Sequence, residues 1–226
     1  MSRTILDRLL EQRRKANGRR FDRSHGIETT GRVSREQLIG MPAELRDCAG
    51  EYRPTNPALL RRIVRQSRLD PGLFNFVDLG CGKGRALIAA ASYGFNSVLG
   101  VEAEEGLFRI ARENGVRWRG EDRLKVVHAD ARTVDWPDGN LFVFMYSPFR
   151  GRIFEEVGER LAAVAREPGR AVVIAYSADW EAAVLERLGC FTRVRLRRLQ
   201  FWARSTVSLF YNRRAMGLRR GTGGQA

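Results

Sequence analysis

The chain has few cysteines: Cys48, Cys81 and Cys190 stand far apart, odd in number and in no Cys-x-x-Cys spacing. That excludes a disulfide framework and gives no zinc-binding pattern, so three free thiols are expected and no metal site. No apolar run approaches the roughly 18 residues needed to span a bilayer, and charged residues recur from Arg3 onward, where a signal peptide would place its apolar stretch. A cytoplasmic protein with no membrane partner is the expectation. Lysine is scarce too. Of 40 basic residues only Lys15, Lys83 and Lys125 are lysines, so the formal charge of +14 is almost entirely arginine. Acidic residues stop altogether at Glu186.

That charge is unevenly spread. Residues 1–56 carry 12 basic and 8 acidic side chains, residues 57–189 carry 19 and 18, and residues 190–226 carry 9 and none. The centre is nearly neutral, and the excess lies at the ends. The basic C-terminal stretch could hold phosphates, or it could be a solvated, arginine-biased end.

At 226 residues, 43% of them hydrophobic, the chain suits one α/β domain with terminal extensions. Ile5, Leu6, Leu9 and Leu10 give residues 3–16 one apolar helical face, whereas residues 17–55 are polar, glycine-punctuated and hold one short helix candidate at Ser34-x-x-Gln37. The segment 1–55 is therefore predicted to be an N-terminal helix and irregular arm. Asn56-Pro57 begins a helix with an N-cap and a proline at its first position, and Asp70-Pro71-Gly72 ends it.

Apolar blocks at 74–79, 97–101, 124–129, 141–146 and 170–177 then alternate with helical stretches at 83–93, 103–116, 150–166 and 179–188. This alternation predicts parallel βαβ units in a doubly wound sheet with helices on both faces. Two further β-rich blocks, 192–198 and 206–211, end the domain with successive strands, so residues 56–211 should form a seven-stranded, Rossmann-like sheet with an antiparallel C-terminal strand. Residues 212–226 are predicted to be a basic, disordered tail.

Phe76-Val77-Asp78-Leu79-Gly80-Cys81-Gly82-Lys83-Gly84-Arg85 joins an apolar strand, a glycine-rich turn and a helix start. Such a turn lets backbone lie against a ligand. A P-loop needs Gly-x-x-x-x-Gly-Lys-Ser/Thr, which is absent, and a dinucleotide fingerprint needs a glycine where Arg85 stands. What is present is a carboxylate, Asp78, two places before the first glycine. It suits a cationic ligand and would repel a pyrophosphate. Glu102 ends the strand Val98–Val101, 20 residues beyond Gly82, where a carboxylate can accept from ribose hydroxyls. Asp130 follows the strand Val126-Val127-His128, with Ala131 beside it.

The Asp-x-Gly-x-Gly-x-Gly loop with these two later acids resembles class I S-adenosylmethionine-dependent methyltransferases. The resemblance implies that Asp78, Gly80, Cys81, Gly82 and Gly84 hold the amino-acid part of the cofactor, that Glu102 holds the ribose, and that Asp130 and Ala131 hold the adenine. Tyr52-Arg53-Pro54-Thr55 is similar to the lead-in of seven-strand protein-lysine methyltransferases, which implies that Tyr52 and Thr55 close that pocket. Arg23, His25 and Gly26 match the Arg-x-His-Gly segment of a group of uncharacterised bacterial methyltransferases.

After the fourth strand, Tyr146-Ser147-Pro148-Phe149 occupies the place where amino-group methyltransferases carry Asn/Asp-Pro-Pro-Tyr/Phe. These four are the candidate catalytic residues, although serine replaces the amide or acid and one proline is missing. Methyl transfer to a nitrogen of a protein or small molecule is the first expectation. Transfer to RNA or DNA through the basic C-terminal region, and an inactive cofactor- or RNA-binding module, are the alternatives. Nothing in the sequence indicates the oligomeric state.

Overall fold

In the computed structural model, residues 5–118, 123–178, 180–196 and 206–220 are described. Seven strands form one sheet: β1 Asn75–Leu79, β2 Val98–Glu102, β3 Leu124–His128, β4 Leu141–Met145, β5 Val172–Ser177, β6 Thr192–Arg195 and β7 Val207–Tyr211. Their spatial order is β3-β2-β1-β4-β5-β7-β6. β7 runs antiparallel to both of its neighbours, and the pairs from β3 to β5 are parallel. This is the Rossmann-like sheet expected from the sequence, with the order reversing between β1 and β4. The carboxyl ends of those two strands are therefore where a ligand crevice opens.

Strand alternation divides two cores between the sheet faces. Phe76, Phe142, Phe144 and Leu209 pack on one face with Leu59, Leu60 and Ile63 of α3 (Pro57–Ser67) and Leu87 of α4 (Arg85–Ala91). Val77, Val143, Ile174 and Phe210 pack on the other with Phe154, Val157 and Leu161 of α6 (Arg152–Arg166) and Leu185 of α7 (Ala182–Arg187). The Asn56 side chain caps α3 by accepting from Ala58 N–H at 3.0 Å, and α5 spans Glu105–Arg117.

The arm is more ordered than its polar composition predicts. Its first helix, α1, runs Ile5–His25, a short 3₁₀ turn covers Arg35–Gln37, and α2 spans Ala43–Cys48. Long-range bonds supply what local apolar periodicity does not: Val33 and Tyr52 exchange backbone hydrogen bonds at 3.3 and 2.9 Å, and Gly40 N–H donates to Glu104 at 3.0 Å.

The tail also departs from expectation. Asn212 accepts from Val172 N–H and Ala215 N–H and donates to the carbonyls of Ala165 and Arg170, which starts a helix α8, Arg213–Gly217, against the sheet. The expected tail residues 221–226, the helix start at 179 and the strand end at 197–198 lie outside the described residues. Among the described residues, no helix is long and apolar enough to cross a membrane.

Candidate cofactor and acceptor site

The glycine turn takes the backbone conformation its sequence requires. Gly80, Gly82 and Gly84 have φ of 76°, 57° and 83°, the left-handed region that side chains disfavour. Space matters as much at the first two. A Cβ on Gly80 would sit 2.4 Å from Pro148, and one on Gly82 would sit 2.3 Å from the Tyr52 ring. Thus the turn is pressed between the end of β4 and the arm.

Asp78 and Glu102 meet at this turn, both buried, and line one small cavity with Gly80, Cys81, Tyr52 and Ser147. Glu102 accepts from Gly82 N–H at 2.7 Å and Glu104 N–H at 2.9 Å, which fixes the turn to β2. Burial pushes the Asp78 carboxyl well above the usual aspartate range, and the nearby Glu102 adds to the effect. Burial likewise raises Glu102, opposed by the two backbone donors, and raises the Cys81 thiol. Two buried carboxylates sharing a cavity favour a cation between them. A ligand bearing an ammonium and a sulfonium fits that donor set.

Asp130 follows β3 at the neighbouring strand end, but it does not line this cavity. Its carboxylate accepts from Arg132 N–H at 2.8 Å and Nε at 2.9 Å, and the same guanidinium reaches Glu44 and Glu156. Ala131 is buried in the second core. The structure therefore joins Asp78 and Glu102, and places Asp130 in a separate ionic network linking α2 to α6.

Tyr52 and Thr55 are buried at the other wall. The Tyr52 hydroxyl donates to the Thr29 carbonyl at 2.7 Å, and its ring covers Gly82. Arg23 and His25 belong to α1, where the His25 ring stacks on Phe21 and stays within its own helix turn. The small cavity holds only about 70 Å³, below the roughly 300 Å³ at which ligand pockets begin. As it stands, this space alone is too small for a nucleoside.

The segment after β4 is shaped by the arm. Ser147 adopts φ 53°, uncommon for a non-glycine residue, while its hydroxyl donates to the Ser177 carbonyl. Gly50 N–H donates to the Pro148 carbonyl at 2.9 Å, and Arg150 N–H to the Cys48 carbonyl at 3.0 Å, so the arm adds a short antiparallel bridge to this loop. Residue 50 is glycine because the Ser147 carbonyl approaches within 2.4 Å of where its Cβ would lie. Tyr146 and Ser147 line both the small cavity and a second one of about 890 Å³ between α1, the arm and the β4 end, whereas Phe149 lines only the larger one. Ser147 and Tyr146 thus stand at the junction of the two spaces.

A group the sequence offered no signal for holds this assembly together. Asp22 on α1 receives Thr29 N–H and Oγ1, Thr30 N–H and Oγ1, and the Arg85 guanidinium at 3.1 Å. Arg85, the residue that breaks the dinucleotide fingerprint, is 5% exposed, and its Nε donates to Thr29 Oγ1 at 2.5 Å. Gly18 makes room for it: a Cβ there would lie 2.8 Å from an Arg85 nitrogen. Burial acts to raise the Asp22 carboxyl, but the hydroxyl and backbone bonds with the Arg85 charge outweigh it and hold it below the ordinary value. Buried Asn114 adds a second tie, donating to the carbonyls of Glu28 and Lys83.

Residues 76–172 match the model of a family described as a methyltransferase domain. No curated protein matches the chain. Among solved structures, the chain is similar to a predicted N6-adenine-specific DNA methylase from Listeria monocytogenes (TM-score 0.52, 15% identity, covering 70% of this chain and 51% of that one). It is also similar to an RNA methyltransferase from Salinibacter ruber in complex with S-adenosylhomocysteine (0.50, 20%, 70% and 92%). A third is a SAM-dependent methyltransferase from Aquifex aeolicus (0.51, 16%, 68% and 88%). The chain spans about half the length of the Listeria protein. At these identities the structural likeness establishes the fold alone. Residues 76–172 thus match a methyltransferase-domain model, and the chain has the Rossmann-like, seven-stranded fold of the solved methyltransferases it is similar to.

Proposed function

We propose that the chain transfers a methyl group from S-adenosylmethionine to a nitrogen nucleophile presented at Tyr146 and Ser147. The observation that carries this reading is the pair Asp78 and Glu102, buried together at a glycine turn whose small cavity shares Tyr146 and Ser147 with a larger one. Asp78 would hold the ammonium of the cofactor and Glu102 the ribose hydroxyls, with Gly80, Cys81, Gly82 and Gly84 giving backbone contact and Tyr52 and Thr55 the lid. Asp130 and Ala131 border the side where an adenine would lie. For Asp130 to accept from its amino group, the carboxylate would have to share its bonds with Arg132.

The bound cofactor supplies a methyl group on a sulfonium, an electrophile that needs no acid. The chain's own task is placement. Reacting atoms about 3–3.5 Å apart and in line account for much of such a barrier. Ser147 can still accept one bond from an acceptor N–H, because its proton is directed to Ser177. The rings of Tyr146 and Phe149 beside the junction suit a cationic centre. With the cofactor held by Asp78 and Glu102, the methyl would pass to the nitrogen lone pair as its bond to sulfur broke, and the methylated nitrogen would lose a proton to solvent.

Tritiated-methyl transfer from S-adenosylmethionine into a cell extract tests the activity. Label should appear in a fraction removed by one of nuclease, protease or ultrafiltration, and should fall at least tenfold with Asp78→Ala. No transfer into any fraction would leave the binding-module alternative in its place.

A further inference from the structure

We propose that the 890 Å³ cavity is the acceptor site and that it takes a phosphate-bearing molecule, its phosphate held by Arg14 of α1 and Arg150 beside the β4 loop. The inference rests on the methyltransferase reading and deepens it by naming the acceptor's chemistry. Cations outnumber carboxylates on the cavity wall by seven to three. Most of the carboxylate charge is already compensated there: Glu11 lies 2.9 Å from Arg32 and 4.0 Å from Lys15, and Glu51 pairs with Arg53. Arg85 is spent on Asp22.

Arg14 differs from these. Its Nε is buried with no hydrogen-bond partner, and neither Arg14 nor Arg150 has a carboxylate partner among the described residues. Arg14 lines this basic cavity and has a guanidinium nitrogen without a partner, which suits an anion, and the planar fork of arginine matches two phosphate oxygens. The volume lies in the range of pockets that enclose a ligand of nucleotide size, roughly 300–1,000 Å³. Tyr146 and Phe149 on the same wall offer stacking surfaces beside the transfer point.

Of the basic C-terminal region, α8 lies away from this cavity. β7 ends at Tyr211, paired with Val173 near the start of β5, so α8 begins at the sheet edge opposite the cofactor turn. There Arg219 lies over the Tyr211 ring and Arg220 pairs with Asp70.

Two probes test the proposal: inorganic pyrophosphate, followed by calorimetry, and a fluorescein-labelled ten-nucleotide RNA, followed by anisotropy, each with the full chain at several salt concentrations. The expected result is binding of at least one probe, weakened tenfold or more by Arg14→Ala and by the exposed substitution Arg150→Glu, with Arg14→Lys largely restoring it. RNA binding with the steeper salt dependence marks a polynucleotide acceptor, whereas pyrophosphate binding without a gain for RNA marks a small phosphorylated one. Binding of neither probe, or binding indifferent to both substitutions, overturns the proposal. S-adenosylmethionine affinity measured on the same proteins separates the two readings. If the wild type lacks it, the methyltransferase reading fails whatever the phosphate result; if the variants keep it, they are folded.

Discussion

Asp78 is held at a cost to the empty protein. Its carboxyl is buried, has no protein hydrogen-bond donor among the described residues, and is pushed upward by burial and by Glu102. A carboxyl whose folded value lies above its unfolded one favours folding at pH below the unfolded value, near 4, and that contribution disappears as pH rises through the raised folded value. At neutral pH the group therefore works against folding, and a cationic ligand would reverse the effect. Asp78→Asn should raise the melting temperature of the ligand-free protein at pH 7.5 by about 2–4 °C, the shift that roughly 1 kcal/mol produces in a domain of this size. The same substitution should weaken cofactor affinity at least tenfold, and the stability gain should vanish at pH 4. Thermal melts at the two pH values, with and without S-adenosylhomocysteine, check this; a loss of stability at pH 7.5 would show that the carboxylate is held by something other than burial against its own charge.

Among the elements, the strand and helix series was legible in the sequence because each carries its own period: Phe76, Phe142 and Phe144 alternate with Val77 and Val143 across the sheet, and Leu59, Leu60 and Ile63 repeat at helical spacing. In the arm only the start of α1 and the Ser34-x-x-Gln37 capping box were legible. Its stability comes from partners 55 to 86 residues away, such as Thr30 with Arg85 and Glu28 with Asn114, and no local pattern reports such a pair. The bonds Asp130 makes were not legible for a similar reason: it shares the Arg132 guanidinium with Glu44, which is 88 residues from Arg132. In turn, Arg85 counted only as a residue that excluded a dinucleotide site, whereas it anchors α1 to the start of α4. Breaking a buried pair by removing one partner costs about 3–5 kcal/mol, so Asp22→Ala should destabilise the chain by about that much in urea unfolding. Asp22 is held below the ordinary value, and its contribution is present above pH ~4 and lost as pH falls through the depressed folded value. The wild-type advantage over Asp22→Ala should therefore shrink in acid. An undiminished gap at pH 3 would locate the effect in packing and not in charge.

For the whole molecule, the arm, the sheet edge and the β4 loop form one closed assembly. Tyr52 covers the turn, Gly50 bonds the loop, and the Asp22–Arg85 knot fixes both to α1. Under the proposed function, this assembly opens to admit a cationic nucleoside between Asp78 and Glu102. Titration calorimetry with S-adenosylmethionine at pH 7.5 tests it most directly. One site per chain is expected, with at least tenfold weaker affinity for both Asp78→Asn and Glu102→Gln. Heat of binding unchanged by either substitution, or no binding by the wild-type chain, would contradict it.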